Sequence, residues 1–128
     1  MLAIPDVDTA RALRYMWQYL AEPLSVDKIA AAASVSRRKL ERHFRKHLGR
    51  SVIDELIRKR IERCCEMLAA TEMTVRDIAR QVGFRSEPYF FVVFRKAVGM
   101  TPSQYRRSHA AKAGKGEDEN AEKAQPTE

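Results

Sequence analysis

A chain of 128 residues with 45% apolar side chains is long enough to bury one core or two small ones. Its formal charge of +7 and pI of about 9.7 favour a polyanionic partner. The first twenty residues hold Asp6, Asp8, Arg11 and Arg14 and no uninterrupted apolar run, so neither a signal peptide nor a transmembrane span is expected, and the cytoplasm is the expected compartment.

In chain order, Pro5 and Asp8 open a first helix whose Leu13, Met16, Trp17 and Leu20 form a stripe at i, i+3, i+4 and i+7, and Pro23 stops it. Ser25 caps a short helix to about Ala33. The turn Ala33-Ser34-Val35-Ser36 leads to a helix capped by Ser36 and ended by Gly49. Ser51 starts a long helix to about Ala70, with Ile53, Ile57, Ile61, Cys64 and Leu68 along one side. Thr74 opens a second short helix and Gly83 makes its turn. Ser86 or Glu87 caps the next helix, which ends at Gly99. Pro88 disfavours an α conformation at Glu87, so this helix is expected to begin one residue later than its counterpart. Thr101-Pro102 begins a final helix to roughly His109, with Pro102 at the first helical position. No stretch alternates with period two, so the fold class is all-α with seven helices.

These elements repeat. At an offset of 49, Ser25-Val26-x-x-Ile29-Ala30 recurs as Thr74-Val75-x-x-Ile78-Ala79; at an offset of 50, Ser36, Leu40, Phe44, Arg45, Lys46 and Gly49 recur as Ser86, Phe90, Phe94, Arg95, Lys96 and Gly99. One residue is inserted between the blocks, at the turn. Each copy is a short helix, a tight turn and a longer helix with an apolar and a basic side, the pattern of helix-turn-helix DNA recognition. The domain therefore covers residues 1–110, with the first unit at about 25–49, the linker helix at about 51–70 and the second unit at about 74–99. Residues 111–128 are polar, Gly- and Pro-containing and net acidic, without a large apolar residue, and are expected to form a disordered tail.

With Leu40 at zero on a helical wheel of about 100° per residue, Phe44 and Leu48 lie near 40° and 80°, while Arg38, Arg42 and Lys46 lie near 160°, 200° and 240°. Residues 37–50 hold seven Lys or Arg against one acid, Glu41. Arginine grips phosphate or lies bidentate on guanine O6 and N7, so outward arginines near the helix start suit both positioning and base reading. In the second copy Phe90, Phe94 and Val98 point inward and Pro88, Val92, Arg95 and Lys96 outward. There Glu87 is suited to the N4 amino group of cytosine, and Val92 or Phe91 to thymine methyls. The alternative for this copy is a bracing role, with Arg95 and Lys96 on phosphate. A linker helix of about 20 residues spans about 30 Å, close to the roughly 34 Å between successive major-groove faces. Such a domain would bind DNA as a monomer.

His43 and His47 have the i, i+4 spacing of a helical zinc pair, but Phe44 rather than Glu follows His43 and no third ligand is evident. Cys64 and Cys65 are adjacent and read as core residues. No phosphate-binding Gly loop, nucleophile elbow or paired catalytic carboxylates are present, so no metal, cofactor or enzyme activity is expected.

The segment GFRSEPYFFVVFRKAVGMTPSQYRR, Gly83 to Arg107, resembles the signature of the AraC-type transcription regulators. Asp6-Val7-Asp8-x-Ala10-Arg11-Ala12-Leu13-Arg14, together with Ser36-Arg37-Arg38-x-Leu40-Glu41-Arg42, is similar to the branch of xylose-operon regulators. The resemblance runs from about Asp8 to Arg107 and implies two helix-turn-helix units joined by a long helix in a domain that reads double-stranded DNA. The base-contact candidates are Arg37, Arg38, Glu41, Arg42, Glu87, Phe91 and Val92, with Pro88 at a matching outward position. The phosphate-contact candidates are Ser36, Arg45, Lys46, Arg85, Ser86, Arg95 and Lys96. The role that the resemblance implies is control of sugar-catabolism genes, with RNA polymerase a candidate second partner and no membrane partner; proteins of the family usually carry a separate ligand-sensing domain ahead of this one, and a full-length parent is a candidate dimer. The competing readings are a sequence-blind architectural or RNA-binding basic module, against which the aromatics at core spacing argue, and an enzyme with a reactive cysteine.

Overall fold

The computed structural model describes residues 6–113, and among them the chain is helix and connection only. The helices are α1 (Val7–Gln18), α2 (Val26–Ala32), α3 (Arg37–Leu48), α4 (Val52–Ala70), α5 (Val75–Gln81), α6 (Glu87–Val98) and α7 (Pro102–Ala113). This is the expected all-α arrangement, with two helix-turn-helix units joined by a long helix. The described residues form two compact units, which divide between Lys59 and Arg60, within α4.

In the first unit α1, α2 and α3 close over a core of Ala12, Leu13, Met16, Val26, Ile29, Ala30, Leu40 and Phe44, joined by Val52 and Leu56 from the start of α4. Full burial of side chains such as Leu40 and Phe44 contributes about 1.5–3 kcal/mol each. The stripe of α1 differs from the one expected. Thr9, Ala12, Leu13 and Met16 are buried, whereas Trp17 is 44% exposed and carries the Lys59 ammonium 4.7 Å from its ring centroid. Asp6, not Asp8, caps α1, because its Oδ2 accepts from both Thr9 N (2.8 Å) and Thr9 Oγ1 (2.7 Å). The helix ends at Gln18, before Pro23, with Tyr19 as its C-cap.

In the second unit Ile61, Cys64, Leu68, Ile78, Ala79, Val82, Phe84, Phe90 and Phe94 are buried. Phe84, Phe90, Phe94 and Tyr105 form a chain of ring contacts with centroids 5.1, 5.7 and 6.2 Å apart. Arg106 of α7 donates to the carbonyls of Leu68 (3.1 Å) and Thr71 (3.1 Å), which lie at and just past the end of α4. It thereby satisfies acceptors that a helix C-terminus leaves open. One apolar side along α4 does not hold, since Ile53 is exposed while Val52 and Leu56 are buried. A helix that serves two cores in turn cannot follow a single stripe.

The two copies share their local chemistry. Ser25 and Thr74 cap α2 and α5, Ser36 and Ser86 cap α3 and α6, and Gly49 and Gly99 close α3 and α6 in the left-handed conformation. The α6 helix begins at Glu87, in register with Arg37, so Pro88 causes no delay. In the first turn its missing N–H has no intrahelical partner to lose. In the turns, Ser34 N donates to Ala31 O (3.0 Å) and Val35 N to Ala30 O (3.1 Å); Gly83 N and Phe84 N repeat this with Arg80 O (3.1 Å) and Ala79 O (2.9 Å). The α7 helix continues to Ala113, beyond the expected His109. The rest of the expected tail, 114–128, lies outside the described residues.

Candidate nucleic-acid interface

The wheel is realised in α3. Leu40 and Phe44 are fully buried, and Arg38, Arg42, Arg45 and Lys46 are exposed on the other side. The remaining cations of this stretch are engaged. Arg37 stands 3.6 Å from Asp27 of α2, Lys39 3.7 Å from Asp8 of α1, and Arg50 2.7 Å from Glu55. Glu55 is buried and is also bonded by Arg58 at 3.2 Å, so Arg50 is drawn back into the protein rather than outward. Among the described residues, Arg38, Arg42, Arg45 and Lys46 form no ion pair within the unit. Four positive charges on one face, uncompensated within the unit, make a surface that attracts a polyanion.

Glu41 is half-buried, and its Oε1 accepts from Val52 N at 3.1 Å, so this carboxylate caps the start of α4. Ser36 spends its hydroxyl on Lys39 N (3.1 Å). Ser86 does the same with Tyr89 N (3.3 Å).

The exposed face of α6 has a different chemistry. Val92 is 64% exposed, Pro88, Arg95 and Lys96 are exposed, and Phe91 is half-buried with its ring 5.2 Å from that of Phe90. Arg85 is exposed just ahead of the helix. Glu87 is half-buried and its Oε2 accepts from Arg76 Nε of α5 at 2.7 Å. Tyr89, absent from the sequence-based candidates, is 47% exposed in the first turn of α6. Its aromatic neighbours suggest core, but the register shared with Lys39 at an offset of 50 places it on an exposed flank.

Both cysteines sit where the thiol is favoured over the nucleophilic thiolate. Burial, with Cys65 adding to it, pushes the Cys64 thiol up to about 12, and burial also raises Cys65. Among the described residues, no helix is long and apolar enough to cross a membrane.

A helix-turn-helix domain family model matches residues 29–108. The xylose operon regulatory protein of Escherichia coli K12 is 27% identical over 104 residues, which cover 81% of this chain. The chain spans about a quarter of that relative's length, 26%. A solved transcriptional regulator with an AraC-type DNA-binding domain, from Chromobacterium violaceum, is 33% identical with a TM-score of 0.77, and the match covers 84% of this chain and 95% of that one. The DNA-binding domain of AdpA, a global transcriptional factor solved in complex with target DNA, is 29% identical with a TM-score of 0.78, covering 84% and 96%. With the duplicated capped turns and the cationic face of α3, these likenesses establish that the chain belongs to the AraC-type helix-turn-helix DNA-binding domains.

Proposed function

We propose that this domain recognises a specific duplex sequence as a monomer, with α3 and α6 in successive major grooves. The observation that carries the reading is the set of four exposed, unpaired cations on α3 opposite its buried Leu40 and Phe44. Arg38 and Arg42, with Arg37 when released from Asp27, read base edges; Ser36, Arg45 and Lys46 lie along phosphate. Glu41, with one oxygen spent on Val52 N, reaches a base only through the other. In α6, Val92 and Phe91 meet apolar base edges, Glu87 accepts from cytosine, and Arg85, Ser86, Arg95 and Lys96 hold phosphate. The 19 residues of α4, at about 1.5 Å each, span about 29 Å, roughly 5 Å short of the spacing of about 34 Å between successive grooves.

The likeness to the xylose operon regulatory protein supports a regulator of a sugar-catabolism operon. Regulation of an operon acts on transcription, so RNA polymerase is the proposed second partner. The domain works by binding, without catalysis or cofactor, in the cytoplasm.

Selection of bound sites from random duplexes tests the reading. The expected product is an enriched motif with two conserved blocks about one helical turn apart, better defined in the block read by α3. Tight binding without any enriched motif would instead support the architectural module.

A further inference from the structure

On the flank of α3 turned away from its cationic face, four half-buried metal-ligating side chains from two helices converge. His43 Nδ1 lies 2.9 Å from Asp6 Oδ2 and 3.8 Å from Asp8 Oδ2, and His47 Nε2 lies 3.9 Å from Asp6 Oδ1. The donor atoms of Asp6, Asp8 and His43 all fall within 4.8 Å of one another. The sequence shows only the histidine pair, because the carboxylates arrive from α1, 37 residues away in the case of Asp6 and His43. We infer that Asp6, Asp8, His43 and His47 form a site for one zinc-class divalent cation, which ties the start of α1 to the recognition helix α3.

Three features favour an ion over a plain polar latch. Zinc bound to imidazole nitrogen and carboxylate oxygen at about 2.0–2.2 Å in a tetrahedron needs donors roughly 3.3–3.5 Å apart. Three of the donor contacts, at 2.9, 3.8 and 3.9 Å, lie near that spacing, and the donors of Asp6, Asp8 and His43 fall within 4.8 Å, so side-chain rotation has to draw these three together and bring His47 in as the fourth. Asp6 is already oriented by a second set of bonds, since both Thr9 donors hold Oδ2 and leave Oδ1 toward His47. The site is also screened but accessible, the four side chains being 17–22% exposed.

Lys39 now neutralises Asp8 at 3.7 Å, and its half-exposed side chain can swing into solvent when an ion enters. Two imidazoles with two carboxylates suit zinc, cobalt or nickel and not magnesium or calcium, which take all-oxygen sets. His43 and His47 lie about 60–100° from the nearest cation of the DNA-facing side, Lys46, on the helical wheel. The ion would therefore leave Arg38 and Arg42 free.

The test uses the full chain stripped with chelator and titrated with zinc chloride by calorimetry, with cobalt(II) visible absorption as a second probe. One equivalent should bind, cobalt should give the intense bands of tetrahedral nitrogen and oxygen coordination, and saturating zinc should raise Tm by several degrees. His43→Gln and Asp8→Asn, each checked for helix content, should weaken zinc at least tenfold and abolish the Tm rise. Cys65→Ser and His109→Gln should change neither. Absence of saturable zinc binding at 100-micromolar levels (~100 µM, well above the affinity of a four-ligand site) would overturn the inference. Undiminished binding in both His43→Gln and Asp8→Asn, or its loss in Cys65→Ser or His109→Gln, would do the same.

Discussion

Arg76 and Glu87 clasp α5 to α6 with a 2.7 Å ion pair, and the same two positions in the first unit hold Asp27 and Arg37 at 3.6 Å, with the charges exchanged. Each clasp joins the first turns of the two helices in a helix-turn-helix, so the duplicated geometry has kept the pair while reversing its sense. The effect on DNA is opposite in the two copies. In the first, an acid restrains a recognition-helix arginine; in the second, an arginine neutralises a recognition-helix acid that would repel phosphate.

Asp27→Ala should therefore tighten DNA binding a few-fold at low salt, and Arg76→Ala should weaken it. Both pairs are largely exposed, so either change should alter stability by less than about 1 kcal/mol. On random duplexes, where Glu87 has no cytosine to read, Arg76→Ala/Glu87→Ala should recover most of the affinity lost in Arg76→Ala. Salt-dependent binding isotherms of the three variants check this, and a double variant no better than the single one would assign the loss to Arg76 itself.

Ser34 and Gly83 make a second instructive pair. Both turn the chain between the helices of their unit, and both have positive φ, 61° and 109°. Only glycine adopts this region without strain. Ser34→Gly should stabilise the protein by about 0.5–1 kcal/mol, the relief exceeding the added unfolded-state entropy. Gly83→Ala should destabilise it by more than about 1 kcal/mol. Urea denaturation measures both.

Arg42→Ala should cost about 1–3 kcal/mol on the selected site and blur preference at one or two base pairs, whereas Lys96→Ala should weaken all sequences alike. Equal losses for Arg42→Ala on specific and random duplexes would move Arg42 to the phosphate set.

Asp6 gives the fold an acid dependence. Burial pushes its carboxyl up, but the hydrogen bonds from Thr9 and His43 outweigh that and hold it at about 2, below the ordinary 3.8. A carboxyl depressed on folding contributes stability above its unfolded pKa and loses it as pH falls through the folded one, so the contribution is complete above about pH 5 and gone below about pH 2. Its size is about 2 kcal/mol. Asp6→Asn keeps a capping side chain but removes the charge, and should be less stable by about 1–2 kcal/mol at pH 6 in chelator-containing buffer. The gap should close toward pH 2, as followed by urea denaturation across that range.

The turns, caps and buried faces of α3 and α6 were legible in sequence because they depend on contacts within one helical turn and on a repeat that reads them twice. Trp17 and Ile53 were misplaced because periodicity identifies an apolar stripe without saying where its neighbouring helices end. Glu41, Glu87, Arg37 and Arg50 look like free charges in sequence. Their partners Val52, Arg76, Asp27 and Glu55 lie five to eleven residues away across turns, so only the folded chain shows that they are occupied. Among the candidates on α3, Arg38, Arg42, Arg45 and Lys46 needed only their position opposite Leu40 and Phe44.

The boundary between the compact units lies inside α4, between Lys59 and Arg60. Cutting there would leave eight residues of that helix with one fragment and eleven with the other. Isolated helices shorter than about 12–15 residues are marginal in water. Neither half would then keep the helix end that completes its core, Val52 and Leu56 on one side and Ile61, Cys64 and Leu68 on the other. Although the sequence is a tandem duplication, its two compact units share one helix like two words sharing a syllable, and they should melt as one cooperative unit rather than as separable modules.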